Sequence, residues 1–283
     1  MATAHDADPP DQPRGMVGGR NLPVAIAVGV VLAIAFLGSL FWRLEAFTLL
    51  VALLVAVASL EVSRVLGRAG VRVLTVPLVL GTVTSVVGAA LLGASGQVLG
   101  QAVLLLLAFL WLLADRDRTA VTATLAVTVL LGGWLGLLAS YAPRLLDRPD
   151  GPVVVLAVIG AAIFIDIGGY AVGVPFGRHK VAPSISPGKS WEGLLGGLVL
   201  AVLLAVLVLP RLSAAFTPLT AALVAVTAGG AGFVGDLAQS MVKRDLGVKD
   251  LGDVLPGHGG VLDRVDGILF ALPVGFYGLA LMG

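Results

Sequence analysis

Apolar and polar positions along this chain do not alternate; they segregate into long blocks. Nine apolar runs occupy residues 22–40, 46–63, 73–93, 98–114, 119–140, 153–174, 194–209, 219–237 and 268–282, each near the ~20 residues a helix needs to cross hydrocarbon. The pattern predicts an all-α, polytopic integral membrane protein with about nine transmembrane helices. The short runs at 194 and 268 are expected to borrow flanking residues. With 58% hydrophobic and 12% charged residues, no polar stretch is long enough for a separate soluble domain, so residues 21–283 read as one membrane domain. Residues 1–20, rich in Pro, Asp and Gly, bury too little to offset the entropy of ordering and are expected to form a disordered cytoplasmic tail. The run at 22–40 is too long for a signal-peptide core and reads as an uncleaved helix.

Short cytoplasmic loops are enriched in Lys and Arg. With the N-terminus inside, the outer segments keep only Arg43, Arg144, Arg148 and Arg211 of the 18 basic residues, which predicts a cytoplasmic N-terminus and an outer C-terminus. A soluble substrate is then expected from the cytoplasm. The first half, to about residue 140, is mainly Leu, Val, Ala, Gly and Thr and is assigned packing and orientation. Its glycine-rich helix faces also suit a homodimer contact.

Charge concentrates in residues 240–266, SMVKRDLGVKDLGDVLPGHGGVLDRVD. Acids able to hold a divalent cation are mixed there with bases able to hold phosphate, a combination suited to a nucleotide polyphosphate and its metal. If the helix over 219–237 continues, Asp236, Ser240 and Lys243 share one stripe at i, i+4, i+7. Asp263 and Asp266, three apart, share another face. Together with Asp236 they would make a hard oxygen site for Mg²⁺, whereas each taken singly also suits a surface salt bridge with Arg264 or Lys249. The segment 256–260, PGHGG, must turn tightly, and its His258 is a general acid or base, a phosphate donor, or a turn residue bonded to backbone.

Upstream, Asp166 interrupts the run at 153–174 and stands out as the one evident acid at membrane depth. Burial there is costly without a polar cavity or partner, so it is expected to face the charged patch or to pair with a base. The loop 175–193, PFGRHKVAPSISPGKSWEG, cannot be regular helix throughout. Ser186, Ser190 and Lys189 suit a phosphate cradle, although a basic cytoplasmic loop is also what topology requires. Trp191 suits an interfacial anchor and Glu192 the first turn of a helix.

The chain has no cysteine, which excludes disulfides and thiolate chemistry. Its three histidines are scattered and argue against zinc, and a net charge of +1 gives no reason to expect nucleic acid. Against that background Ser240, Lys243, Arg244, Lys249, Asp250, Gly252, Leu255, Pro256, His258, Gly259, Gly260, Asp263, Arg264 and Asp266 form a long signature. In it the chain resembles the phosphatidate cytidylyltransferase, or CDP-diacylglycerol synthase, family. The resemblance extends to Asp166, Gly169, Tyr170, Gly177, Ser186, Pro187, Lys189, Trp191, Glu192, Gly193, Gly235 and Asp236, and so covers about residues 151–283, the expected catalytic half. It departs at Ile167 and Gly169, where relatives commonly carry threonine and alanine, and at Gly188, which replaces the first of a lysine pair.

The resemblance implies transfer of the cytidylyl group of CTP to phosphatidic acid, giving CDP-diacylglycerol and pyrophosphate at a bacterial inner membrane. It implies Mg²⁺ on Asp236, Asp263 and Asp266, with K⁺ as a second cation. It implies catalytic roles for Lys243, Arg244, Lys249, Asp250, His258, Arg264 and Asp166, and substrate contacts from Ser186, Pro187, Lys189, Trp191, Glu192, Ser240, Gly259 and Gly260. The nearer rival is a CTP-dependent lipid-alcohol kinase. An ion-coupled transporter is the rival from another class, and it would need several intramembrane charges and broken helices in related positions of two halves.

Overall fold

The computed structural model describes residues 16–17, 20–255 and 259–282. Of the tail expected over 1–20, all but Met16, Val17 and Arg20 lies outside the described residues; strand β1 (Met16–Val17) pairs antiparallel with β2 (Arg20–Asn21). The chain then runs as helices α1 (Leu22–Trp42), α2 (Leu44–Arg68), α3 (Thr75–Leu92), α4 (Ala94–Ala114), α5 (Val121–Leu131), α6 (Tyr141–Leu146), α7 (Gly151–Phe176), α8 (Trp191–Leu212), α9 (Pro218–Asp245) and α10 (Leu262–Met282). Among the described residues eight helical spans are long and apolar enough to cross a membrane, and the described part of α1, Ile26–Trp42, is a shorter apolar helix. The protein is an all-α, polytopic integral membrane protein, and each of the nine apolar runs meets a helical span, with the runs at 73–93 and 119–140 overhanging theirs by one or two residues.

Three departures from the apolar runs matter for the site. The run at 119–140 is not one regular helix: α5 passes into a wider π-helical turn at Gly132–Leu137, where Gly132 and Gly136 pack against Leu104 and Thr82, and α6 follows. α9 continues two turns past the last apolar residue. It is 28 residues long and is set at its start by a capping box between Thr217 and Thr220, so it carries Asp236, Ser240 and Lys243 on one rod. α10 begins at Leu262, six residues before its apolar run, which puts Asp263, Arg264 and Asp266 in its first turns. The loop between α7 and α8 is a small hairpin, β3 (Lys180–Ala182) against β4 (Ser186–Ser190), with Lys180 opposite Ser190 and Ala182 opposite Ser186.

Two apolar cores knit the bundle together. One joins α1, α2 and α6 to α7, α9 and α10 through Leu40, Phe47, Leu145, Val158, Val224 and Leu272. The other packs Val55 and Val62 of α2 and Leu78 of α3 against Leu251, Val261, Leu262 and Leu269. The segment between α9 and α10 is therefore seated on the first half of the chain, and its burial there removes apolar surface from water.

Candidate active site

The site is built where α9 leaves the apolar bundle. Gly235 allows the crossing: a Cβ at that position would stand 2.8 Å from the carbonyl oxygen of Asp266, so only glycine lets α9 lie this close to the first turns of α10. Asp236 and Asp266 then face each other across the contact. Asp266 is within electrostatic reach of Asp236, Lys243 and Asp166, and its Oδ1 accepts a hydrogen bond from the Gly267 amide at 2.8 Å. One turn beyond Asp236, the Ser240 hydroxyl donates to Asp236 Oδ1 at 3.4 Å.

The hairpin brings in the opposing charge. Lys189 on β4 ion-pairs with Asp236, lies 3.9 Å from Asp166 Oδ1 and sits over the Phe233 ring at 4.3 Å. Its ammonium is buried and held by these carboxylates and the ring face, so its attachment is chiefly electrostatic. Asp166 is the most open of this group, with its side chain 56% exposed. It shares a cavity of about 320 Å³ with Ile165, Tyr170, Lys189, Leu194 and Phe233. The cavity joins a charged floor to an apolar wall, which suits a ligand with a phosphate and a hydrocarbon end.

Asp263, for which the resemblance implies metal ligation, is enclosed by donors in this structure. Its side chain is only 2% exposed and pairs with Lys243 Nζ at 2.6 Å. It also accepts from Gln239 Nε2 at 2.7 Å, Leu251 N at 3.0 Å and Gly260 N at 3.0 Å. Four donors fill a carboxylate's ordinary capacity, so Asp263 holds the signature segment in shape. Among the described residues no three carboxylates or imidazoles are grouped as a ready-made metal cage. The donors that suit Mg²⁺ are Asp236 and Asp266, two hard carboxylates that leave the remaining positions to water and phosphate oxygens, the usual manner of Mg²⁺ binding.

The other sequence-predicted residues divide between the cluster and its supports. Gly259 adopts φ of +79°, and a Cβ there would stand 3.1 Å from Asp250 Oδ1 and 3.3 Å from Asp263 Oδ2; the turn thus brings backbone against two carboxylates. Arg244 donates from Nε to the Ile185 carbonyl at 3.2 Å and so ties the hairpin carrying Ser186 and Pro187 to the end of α9. Lys249 and Arg264 are exposed. Trp191, 52% exposed, stands on the surface of α8. Glu192 closes the base of the hairpin: it accepts from Arg178 N at 3.1 Å and His179 N at 3.2 Å and meets His179 Nδ1 at 2.5 Å. His258 lies outside the described residues.

Sequence reasoning missed Glu61 and Gln239. Gln239 is fully buried on α9 and reaches Asp263. Glu61, 2% exposed on α2, accepts from Val254 N at 2.9 Å and Val261 N at 2.7 Å. Asp166 is therefore not the lone acid within the apolar runs. The signal was present, since Glu61 is a single carboxylate within the run at 46–63 and falls under the rule that flagged Asp166. It was overlooked because it lies near the end of that run, beside the basic residues that follow.

A model described as the Cytidylyltransferase family matches residues 23–282. The phosphatidate cytidylyltransferase of Mycobacterium leprae is 37% identical over 279 residues, covering 93% of this chain and 89% of that protein. The phosphatidate cytidylyltransferase of Mycobacterium tuberculosis H37Rv is 36% identical over 263 residues, covering 89% and 80%. That of Haemophilus influenzae is 46% identical over 117 residues, covering 38% and 39%.

Proposed function

The chain belongs to the cytidylyltransferase family, and we propose that it transfers the cytidylyl group of CTP to phosphatidic acid, releasing pyrophosphate and forming CDP-diacylglycerol. The observation that carries this reading is the Lys189 ammonium held between the Asp166 and Asp236 carboxylates, with Asp266 in electrostatic reach of both acids, beside a half-apolar cavity. A phosphate oxygen of the lipid attacks the α-phosphorus of CTP. The new P–O bond forms as the bond to the β-phosphate bridge breaks, and the electron pair leaves with pyrophosphate. No protein nucleophile is needed, so the protein's part is to position two anions and offset their charge. Lys189 lies at the apolar wall and takes the lipid phosphate; Lys243 and Arg244, one turn further along α9, face the nucleotide. Asp236 and Asp266 would hold Mg²⁺, which would supply charge neutralisation for the triphosphate.

The bias of basic residues toward this end of the bundle supports the reading that the cluster faces the cytoplasm at a bacterial inner membrane. The enzyme is assayed in detergent with CTP and phosphatidic acid, following pyrophosphate and the lipid product. Asp236→Asn is expected to lower turnover by about 100-fold or more, in line with the loss of a preorganised charge. Release of CDP with a phosphorylated lipid alcohol, or CTP-independent ion flux without pyrophosphate, would overturn the assignment.

A further inference from the structure

The segment between α9 and α10 is held by two carboxylates from opposite halves of the chain. Asp263 takes the amides of Leu251 and Gly260. Glu61 takes the two amides that lie just inside and just beyond them, Val254 on Oε1 and Val261 on Oε2. Between these anchors Leu255 N donates to Gly259 O at 2.9 Å, so four amides held by two acids flank this contact. Asp263 has Lys243 to balance its charge. Glu61 forms no ion pair among the described residues, and its anionic form is satisfied by the loop amides alone. Gly252 and Gly260 close the arrangement: a Cβ on Gly252 would stand 2.3 Å from Glu61 Oε1, and one on Gly260 would stand 3.0 Å from Glu61 Oε2. The glycine at 252 is thus explained by a residue almost 200 positions upstream, since the backbone must approach the Glu61 carboxylate closely, and the glycine at 260 first by the Gly252 backbone, whose Cα a Cβ there would meet at 2.7 Å.

We infer that Glu61 is a positioning residue for cytidylyl transfer, an anionic clamp from the first half of the chain that fixes the signature segment against α10. The inference rests on the function proposed above. A carboxylate that receives one amide on each oxygen sets both the height and the tilt of the loop, whereas a single acceptor sets only one. The loop leads directly into Asp263, Arg264 and Asp266, so tilting it displaces the groups that face the reacting phosphates. Glu61 itself touches neither substrate nor metal.

The test uses the full-length protein in detergent or nanodiscs. Glu61→Gln keeps the shape but presents an amide donor to one of the two loop amides; Glu61→Ala removes both acceptors. Each is expected to lower kcat, Glu61→Ala by about 100-fold, the size of effect produced by a misplacement of roughly 1 Å, with KM for CTP changed less than about threefold. By hydrogen–deuterium exchange, the segment containing Val254 and Val261 loses protection in both variants while α2, α3 and α9 keep theirs. Gly252→Ala alone is expected to reproduce the loss, because its Cβ meets the Glu61 carboxyl. The double variant Glu61→Ala/Gly252→Ala should be no worse than Glu61→Ala. Unchanged loop protection in Glu61→Gln, or fully additive losses in the double variant, would overturn the clamp. If the wild-type protein makes no pyrophosphate from CTP and phosphatidic acid, the proposed reaction fails; loop exchange and the melting temperatures of the same three variants then decide whether Glu61 is the clamp.

Discussion

The two polar ends of this bundle hold their cations in opposite ways. At the end built by α9, α10 and the hairpin, Lys189 faces Asp236 and Asp166, and Lys243 faces Asp263. At the other end, Arg144 donates to Gln97 Oε1 at 2.6 Å and lies 4.2 Å from the Phe276 ring, while Arg148 donates to the Phe276 carbonyl at 3.3 Å. Among the described residues neither arginine has a carboxylate within ion-pair distance. A cation held by a mobile anion can exchange that anion for a phosphate at small electrostatic cost, because charge replaces charge. One held by an amide, a carbonyl and an aromatic face has its donors committed to neutral groups that cannot leave. The first arrangement makes a binding site and the second makes a structural joint, though both put positive charge at a membrane boundary.

Removing a cation from each end tests that contrast, and the larger effect on turnover is expected at the α9 end. Lys189→Met keeps the hydrocarbon stem over Phe233 and deletes the charge, so turnover should fall by about 100- to 1,000-fold, as when a preorganised charge at a transition state is lost. The melting temperature should fall less than turnover does, since Asp236 and Asp166, 26% and 56% exposed, can be solvated once the ion pair is gone. Arg144→Met should do the reverse. It leaves Gln97, 4% exposed, with an unmet acceptor, at a cost of about 1–3 kcal/mol in stability, while kcat/KM stays within about twofold of wild type. Thermal melting and pyrophosphate release on the same preparations separate the two. Equal losses of turnover would dissolve the distinction between site and joint.

Hydrophobic patterning made the membrane helices legible because each run is long and nearly uninterrupted, and Gly, Pro and charged residues mark its ends. Apolar content alone could not show where α9 and α10 extend past their runs. The stripe of Asp236, Ser240 and Lys243 anticipated the first extension, and α10 starts earlier than its run because Asp263 and Asp266 are accommodated by amides and neighbouring charges. Residue type and spacing suggested that Asp236, Asp263 and Asp266 meet; that Lys189 of the hairpin joins Asp236 was not legible from spacing. The fourfold occupation of Asp263 was not legible either, because a carboxylate filled by backbone amides is indistinguishable in sequence from one that is open. Glu61 was hidden for a related reason: its partners are the amides of Val254 and Val261, whose side chains give no hint of the bond. Long-range pairing between a side chain and a main chain leaves no pattern at the main-chain end; the lone carboxylate in the run at 46–63 was the one signal.

The smallest expected effect concerns a third cation, Arg72, which ion-pairs with Asp115 and lies 3.4 Å from Asp117 Oδ2. This contact joins the loop after α2 to the loop after α4 and lies apart from the reacting groups. The amide of Asp117, and after it Arg72, holds the Asp115 carboxyl below its ordinary value of 3.8, and Thr119 does the same for Asp117. A carboxyl depressed on folding contributes stability that is fully present above the unfolded value and is lost as pH falls through the lower folded value. The contribution should therefore be constant from neutral pH down to about pH 4 and fade below it. Both acids are open to solvent and salt, so Asp115→Asn is expected to shift the melting temperature by no more than about a degree, within the ordinary range of exposed pairs, and less in high salt. A loss of turnover in Asp115→Asn would show that this loop pair, carboxylate-bound like Lys189 but remote from the cavity, communicates with the site; carboxylate pairing would then not be enough to mark a binding end, and the nearby cavity would have to carry that distinction.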